Sequence, residues 1–309
     1  MTNGCCSNQR LAGAPLDVAR RIPFPYKRGP HRMKRISLIW LLLPAVLLLA
    51  AFIVMPTFDL IRASIFDPDF TIKHFQRLVE RGVYIDVMWR TVRVSLIVAV
   101  ICTIVGYPVA MFINLQPKKR QVALLFLILI PMWMSVLIRT FAWIVVLGRE
   151  GLINDLMIGL GMTDGPVQML YTSGTVITAM VQIMLPIQII TCYSAMTEID
   201  LDLMRAARVL GARRWQALTR VYLPLSYDGT LTGLVIVFMM SMGFFITPAL
   251  LGGRQDMMIA NLIEFQVQHL NWSFAAAIGI VLLVLTVSMI LLLRWTGRFA
   301  FRRLLNVGR

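Results

Sequence analysis

Apolar residues run almost without interruption over 36–56, and again over about 91–115, 122–147, 171–195, 227–250 and 273–293. Each run is long enough to cross roughly 30 Å of hydrocarbon as a helix. The pattern predicts an all-α fold, a polytopic membrane bundle of six transmembrane helices. The first run exceeds the 7–15-residue core of a cleaved signal peptide, so it reads as a retained span. Pro108, Pro131, Pro186 and Pro248 lie within or near span ends, which predicts several kinked helices whose freed backbone groups are satisfied by neighbours.

Composition narrows the class. The 309 residues are 58% hydrophobic and 15% charged, against about 25% charged in soluble domains. With a mean hydropathy of +0.76, the chain reads as one membrane domain and not as two soluble ones. The net charge of +15 sits in short basic clusters beside the spans, which is the pattern of topology signals and not of a nucleic-acid face.

Placing the N-terminus inside puts 21 Lys/Arg on the inner side and 7 on the outer, with Arg93 and Arg139 inside spans. That asymmetry orients both termini to the cytoplasm. Three segments follow: a basic, compositionally disordered tail over 1–35, a six-span domain over 36–295, and a basic cytoplasmic C-terminus over 296–309. The stretch 57–90, with five basic and five acidic residues, is expected to be a folded extracytoplasmic excursion.

What the chain lacks removes whole classes. None of its five lysines follows a glycine, so no phosphate-binding G-x-x-x-x-G-K-[ST] loop is present. His31, His74 and His269 all fall outside the spans, which argues against haem or quinol chemistry. No relay of intramembrane carboxylates suggests proton coupling. Cys5, Cys6, Cys102 and Cys192 match neither zinc spacing nor a secreted disulfide framework and read as free thiols. The reading is a non-enzymatic membrane subunit without a cofactor of its own, energised from outside.

The informative stretch is the inner loop 197–226, TEIDLDLMRAARVLGARRWQALTRVYLPLS. Asp200 suits a helix cap and Asp202 its first turn. A helix from about Leu201 to Leu210 is expected to stop at Gly211 in the left-handed conformation, with a second helix from about Arg213 leading to Pro224. Ala206 and Ala207 leave a surface that a partner's groove can approach closely.

The spacing Ala206-Ala207, three residues, Gly211, nine residues, Val221-x-Leu223-Pro224 resembles the E-A-A-x-x-x-G-x9-I-x-L-P loop of ATP-binding-cassette (ABC) importer permeases of the type I fold. The run Gly243-Phe-Phe-Ile-Thr247-Pro248-Ala-Leu-Leu-Gly252-Gly253, followed by Met257-Met258-Ile-Ala260-Asn261, is similar to the spermidine/putrescine group of that family. The resemblance covers about 36–295. It implies that ATP is bound by a separate cytoplasmic ATPase dimer, contacted by Arg205, Ala206, Ala207 and Gly211, with Val221, Leu223 and Pro224 anchoring the return. It further implies a second permease subunit, in a heterodimer, an extracytoplasmic solute-binding protein, and residence in a bacterial inner membrane. One departure stands out: the family's glutamate is Arg205 here, with Glu198 and Asp202 near enough to compensate. Related permeases for other small solutes share the architecture, and an ion-coupled carrier is the alternative from a different class.

Trp133, Arg139, Trp143, Gln182 and Thr247 are the candidates for lining a translocation path. An intramembrane arginine is costly and hence a functional candidate, with a snorkelling residue as the alternative. Arginine is also a poor ligand for a polycation. The aromatics suit either cation–π contacts or interfacial belts, and the neutral polar groups suit either a weakly binding channel or interhelical hydrogen bonds. Asp256 and Glu264 either meet a binding protein or are solvated.

Overall fold

The structure, a computed structural model, describes residues 35–65, 73–200 and 202–306, and these contain helices and no strand. Apart from Arg35, the tail expected over 1–35 lies outside them, as do Cys5 and Cys6. Among the described residues five helices are long and apolar enough to span a membrane, and a sixth apolar stretch of that length is a pair of helices bent at 89°. The first, α1 (Arg35–Ile65), is divided between two compact units, one ending at Met55 and the other comprising Pro56–Arg309.

In the second unit, α3 (Gly82–Asn114), α7 (Ser173–Thr197) and α10 (Leu223–Met242) pack against one another. Val98, Ala99 and Cys102 of α3 meet Ala179, Met180 and Met184 of α7 and Val237 and Phe238 of α10 in one buried cluster. Gln188 of α7 is fully buried there, and its Nε2 donates to the Thr230 carbonyl of α10 at 3.4 Å. Two glycines make room for it. A Cβ at Gly233 would lie 2.8 Å from Gln188 Oε1, and one at Gly106 would lie 3.0 Å from its Cγ. Cys102 and Cys192 are free and buried.

The run 122–147, expected as a single helix, is divided. Helix α4 (Lys118–Leu129) ends in a 3-10 turn, Ile130–Trp133, and α5 (Val136–Leu147) leaves at 89° to it. Pro131, which has no N–H to continue the ladder, accounts for the change from α-helix to 3-10 turn; the bend itself falls at Met134 and Ser135, whose ψ angles of 140° and 142° are extended. Pro108 and Pro186, in contrast, sit inside α3 and α7, each assigned as one uninterrupted helix. The run 227–250 also divides: α10 stops at Met242, and Ile246–Leu251 forms a separate short helix, α11. The last long helix, α13 (Trp272–Asn306), continues past 295 without a break.

The described part of 57–90 is folded. Helix α2 (Lys73–Glu80) buries Leu78 against Val87 of α3, Ile259 and Leu262 of α12 (Ile259–Gln268), and Phe274 and Ile278 of α13. Arg77 lies over the Phe274 ring at 4.9 Å, so its charge rests on an aromatic face.

Candidate functional site

Residues 202–217 form a helix-turn-helix. Asp200 Oδ1 accepts the Asp202 N–H at 2.9 Å and starts α8 (Asp202–Val209). The turn beyond it depends on Gly211, whose φ of +92° is a conformation that side chains with a Cβ adopt poorly. The Ala212 N–H reaches the Ala207 carbonyl at 3.1 Å, and the Gly211 N–H the Arg208 carbonyl at 3.0 Å. Gln216 Oε1 then accepts the Arg213 N–H at 2.9 Å, opening α9 (Arg214–Ala217).

A π turn over Leu218–Tyr222 joins this loop to α10, with the Leu223 N–H bonded to the Leu218 carbonyl. The wide turn fits the sequence, because Pro224 has no N–H for the Arg220 carbonyl.

At the tip, Ala206 and Gly211 are exposed and Ala207 is half-buried. Val209 and Leu210 are 87% and 88% exposed, and Trp215 71%. Sequence reasoning did not single out these three, although large apolar residues in an otherwise charged loop were the available signal. Arg205, in the place of the family's glutamate, donates to Asp202 Oδ1 at 2.7 Å. Both side chains are exposed, so the pair contributes about 0–1 kcal/mol.

Polar bonds tie the loop's return to three spans. Asn114 Nδ2, at the end of α3, donates to Tyr222 Oη at 3.0 Å and to the Met196 carbonyl of α7 at 3.2 Å. Gln121 Nε2 on α4 donates to the Asn114 carbonyl at 3.0 Å, and Tyr193 Oη donates to Gln121 Oε1 at 2.9 Å. Tyr107 and Ser226 bond through their hydroxyls at 2.8 Å. Tyr222 is fully buried among Ile113, Ile189 and Met196, with Met204 of α8 and Leu218 packed alongside.

Of the five path candidates, three come together. Arg139 and Trp143 on α5 and Gln182 on α7 line one cavity of about 360 Å³, with Pro131 and Met134 of the helix break. Trp133 stands apart, 79% exposed and edge-on to Phe126. Thr247 is fully buried and hydrogen-bonded to Thr140 at 3.3 Å, where it holds α11 to α5.

The 243–261 run builds a compact lobe. Buried Asp256 accepts the Ser173 hydroxyl and, at 3.0 Å, the Gly253 N–H, so this acid folds the loop instead of facing solvent. A Cβ at Gly252 would fall 2.5 Å from the Pro248 carbonyl oxygen. Asn261 Nδ2 donates to the Phe245 carbonyl at 2.8 Å. Arg254, Glu264, Phe265 and Gln268 line a neighbouring cleft of about 270 Å³. Among the described residues no group of three or more His, Cys, Asp or Glu gathers to hold a metal.

Residues 102–300 match the family described as binding-protein-dependent transport system inner membrane component. The spermidine/putrescine transport system permease protein PotB of Escherichia coli (strain K12) is 32% identical over 267 residues, covering 84% of this chain and 95% of that protein. Its counterpart in Haemophilus influenzae is 37% identical over 223 residues, covering 71% and 77%. Among solved structures, a chain of a bacterial ABC transporter involved in import of the acidic polysaccharide alginate superposes with a TM-score of 0.70 at 21% identity, over 86% of this chain and 97% of that one. Two thirds of the spans and the whole loop fall inside the matched segment, which excludes an ion-coupled carrier working alone. The chain belongs to the binding-protein-dependent transport system inner membrane components, and is a multi-pass permease subunit of an ABC importer.

Proposed function

We propose that this permease translocates polyamines of the spermidine/putrescine kind, energised by a separate cytoplasmic ATPase that engages residues 202–217. The observation that carries the solute is identity of 32–37% to spermidine/putrescine permeases along most of the chain. Asp228, exposed on the first turns of α10, is an acid in a spanning helix of a kind suited to attracting a cation.

The coupling role is supported by shape and chemistry. An exposed helix-turn-helix presents Ala206, Gly211, Val209 and Leu210, and its return is anchored by Tyr222, buried against α3, α4 and α7, whereas Leu223 is exposed and Val221 and Pro224, expected to share the anchoring, are half-buried. The permease binds no ATP itself on this reading; the nucleotide belongs to the partner. A second permease subunit, a solute-binding protein meeting the α11–α12 lobe, and cytoplasmic termini complete the proposal, with domain limits at 1–35, 36–295 and 296–309. Arg139, Trp143 and Gln182 line the solute's way through the bundle.

Deleting the gene and measuring uptake of labelled putrescine and spermidine tests it. Uptake falls to background and returns with the intact gene. Unchanged uptake of both, in cells without another polyamine importer, overturns the solute assignment.

A further inference from the structure

Helix α10 keeps one side clear of the bundle. Ser226, Gly233, Val237, Phe238 and Ser241 are buried against its neighbours, whereas Leu225, Asp228, Thr232 and Met239 are exposed and Ile236 is half-buried. Those last five recur every three or four residues, so they share one face along the helix. The 20 residues of α10 rise about 30 Å, the thickness of the hydrocarbon. Asp228, the sixth of them, stands roughly 8 Å along that rise.

The outward side of α13 differs. It presents Leu283, Val284, Val287, Leu291 and Leu292, and Ser288 returns its hydroxyl to the Val284 carbonyl. On α10, Thr232 returns its hydroxyl to the Asp228 carbonyl in the same way, at 2.8 Å, but the Asp228 side chain has no such outlet. Among the described residues none forms an ion pair with its carboxylate or donates a hydrogen bond to it. A carboxylate turned to hydrocarbon is costly, and acids within spans face protein or water. The bundle does not cover Asp228, so this face meets a wet surface of another chain.

We propose that this face of α10 is the wall of the solute path opposite the second permease, and that Asp228 takes an ammonium group of the solute there. The proposal rests on the polyamine reading and on a pair of permeases, and it names the point on this chain where the cation is met. A carboxylate and a primary ammonium form a charge-assisted hydrogen bond, and Leu225, one turn back, offers apolar surface to the methylene chain of a diamine. No residue of α10 lines the cavity at Arg139, so an ammonium at Asp228 is not set against the guanidinium inside it. One exposed carboxylate holds a cation weakly, which suits a solute that has to leave again.

The test uses the assembled importer, with both permeases, ATPase and binding protein, in proteoliposomes holding ATP. For Asp228→Asn the maximal rate of labelled putrescine uptake is expected to fall about tenfold, the loss of one charge-assisted pair. Its KM stays unchanged, because the binding protein sets capture, and Asp228→Glu restores the rate. The second permease copurifies with Asp228→Asn as with wild type. The wall itself is read in nanodiscs from single cysteines at Thr232 and, on α13, at Val287, with Cys5 and Cys6 changed to serine and the buried Cys102 and Cys192 left in place. A positively charged, membrane-impermeant thiol reagent is expected to modify Thr232→Cys and to leave Val287→Cys and the parent unmodified. Excess putrescine slows the reaction at Thr232→Cys more than sodium at equal charge does.

Full-rate uptake by Asp228→Asn overturns the proposal. So does loss of the second permease from that variant, which identifies an ion pair between the two permeases in place of a solute contact. Thr232→Cys reacting no faster than Val287→Cys puts the face in lipid, and a reaction indifferent to putrescine removes the solute from it; either result overturns the proposal as well. If the wild type carries no putrescine, the polyamine reading fails and takes the ammonium contact with it, whereas reagent access to Thr232→Cys is read without solute and still decides whether the face is wet.

Discussion

Gly211 and Ala207 carry different physical burdens within one turn. Gly211 is exposed, and a Cβ there would meet nothing within 4 Å, so only its φ of +92° resists substitution. Gly211→Val is expected to destabilise the turn by about 1–2 kcal/mol, leaving membrane insertion intact while ATPase copurification and uptake fall together. Ala207→Asp adds a charge where the proposed partner approaches; an unpaired charge buried at an interface costs about 3–5 kcal/mol. Docking and uptake are expected to drop well below those of Arg213→Ala, whose exposed side chain leaves both close to wild type. Full docking and uptake for Ala207→Asp would remove this loop as the interface. In the core, Gly233→Leu drives a side chain into Gln188, and overpacking of about 1–3 kcal/mol should lower the thermal midpoint of the detergent-solubilised protein. Gly211 was readable from the sequence because a left-handed helix stop has a residue-level signature. The need for Gly106 and Gly233 was not, since it comes from the Gln188 side chain of another helix.

At the scale of elements, the loop is joined to the bundle by the bonds that converge on Asn114 and Tyr222. Those groups sit on α3, on the π turn before α10, and through Gln121 and Tyr193 on α4 and α7. A push on α8 therefore reaches α3, α4, α7 and α10 at their ends nearest the loop. Tyr222→Phe removes the acceptor for Asn114 at a cost of about 1 kcal/mol without touching the exposed tip. The ATPase should still copurify, while ATP hydrolysis stimulated by solute-loaded binding protein falls; unchanged stimulation would show that the push travels by another route. The helices themselves were largely legible, because runs of about 20 apolar residues have few alternatives in a membrane. The break at 130–135 was not, because the apolar run crosses it without a polar residue until Ser135. Proline alone does not predict a break, as Pro108 and Pro186 inside intact helices demonstrate. The cavity at Arg139 follows from that break, since α5 leaves α4 at 89° and turns Arg139 and Trp143 toward Gln182. Arg139 and Gln182 could be named from sequence as polar groups in apolar runs, but their meeting depended on a bend that the pattern does not record.

For the molecule as a whole, one copy of the chain offers one loop of the coupling type. If ATP is held between two ATPase subunits, as the family resemblance implies, two such loops are needed, and hence two permeases. The proposed coupling role and the charge asymmetry call for the same sidedness: 202–217 is expected to face the ATPase, and the lobe of α11 and α12, one membrane passage beyond that loop, to face the binding protein. Reporter fusions after residues 80 and 210 are expected on opposite sides of the membrane, and finding both on one side would break the six-span topology. The second permease is expected to be a different chain. With this chain tagged, purification should recover the second permease in equal amount, with two ATPase copies per pair. A transport-active complex containing two copies of this chain and no other permease would overturn the heterodimer while leaving the requirement for two coupling loops in place.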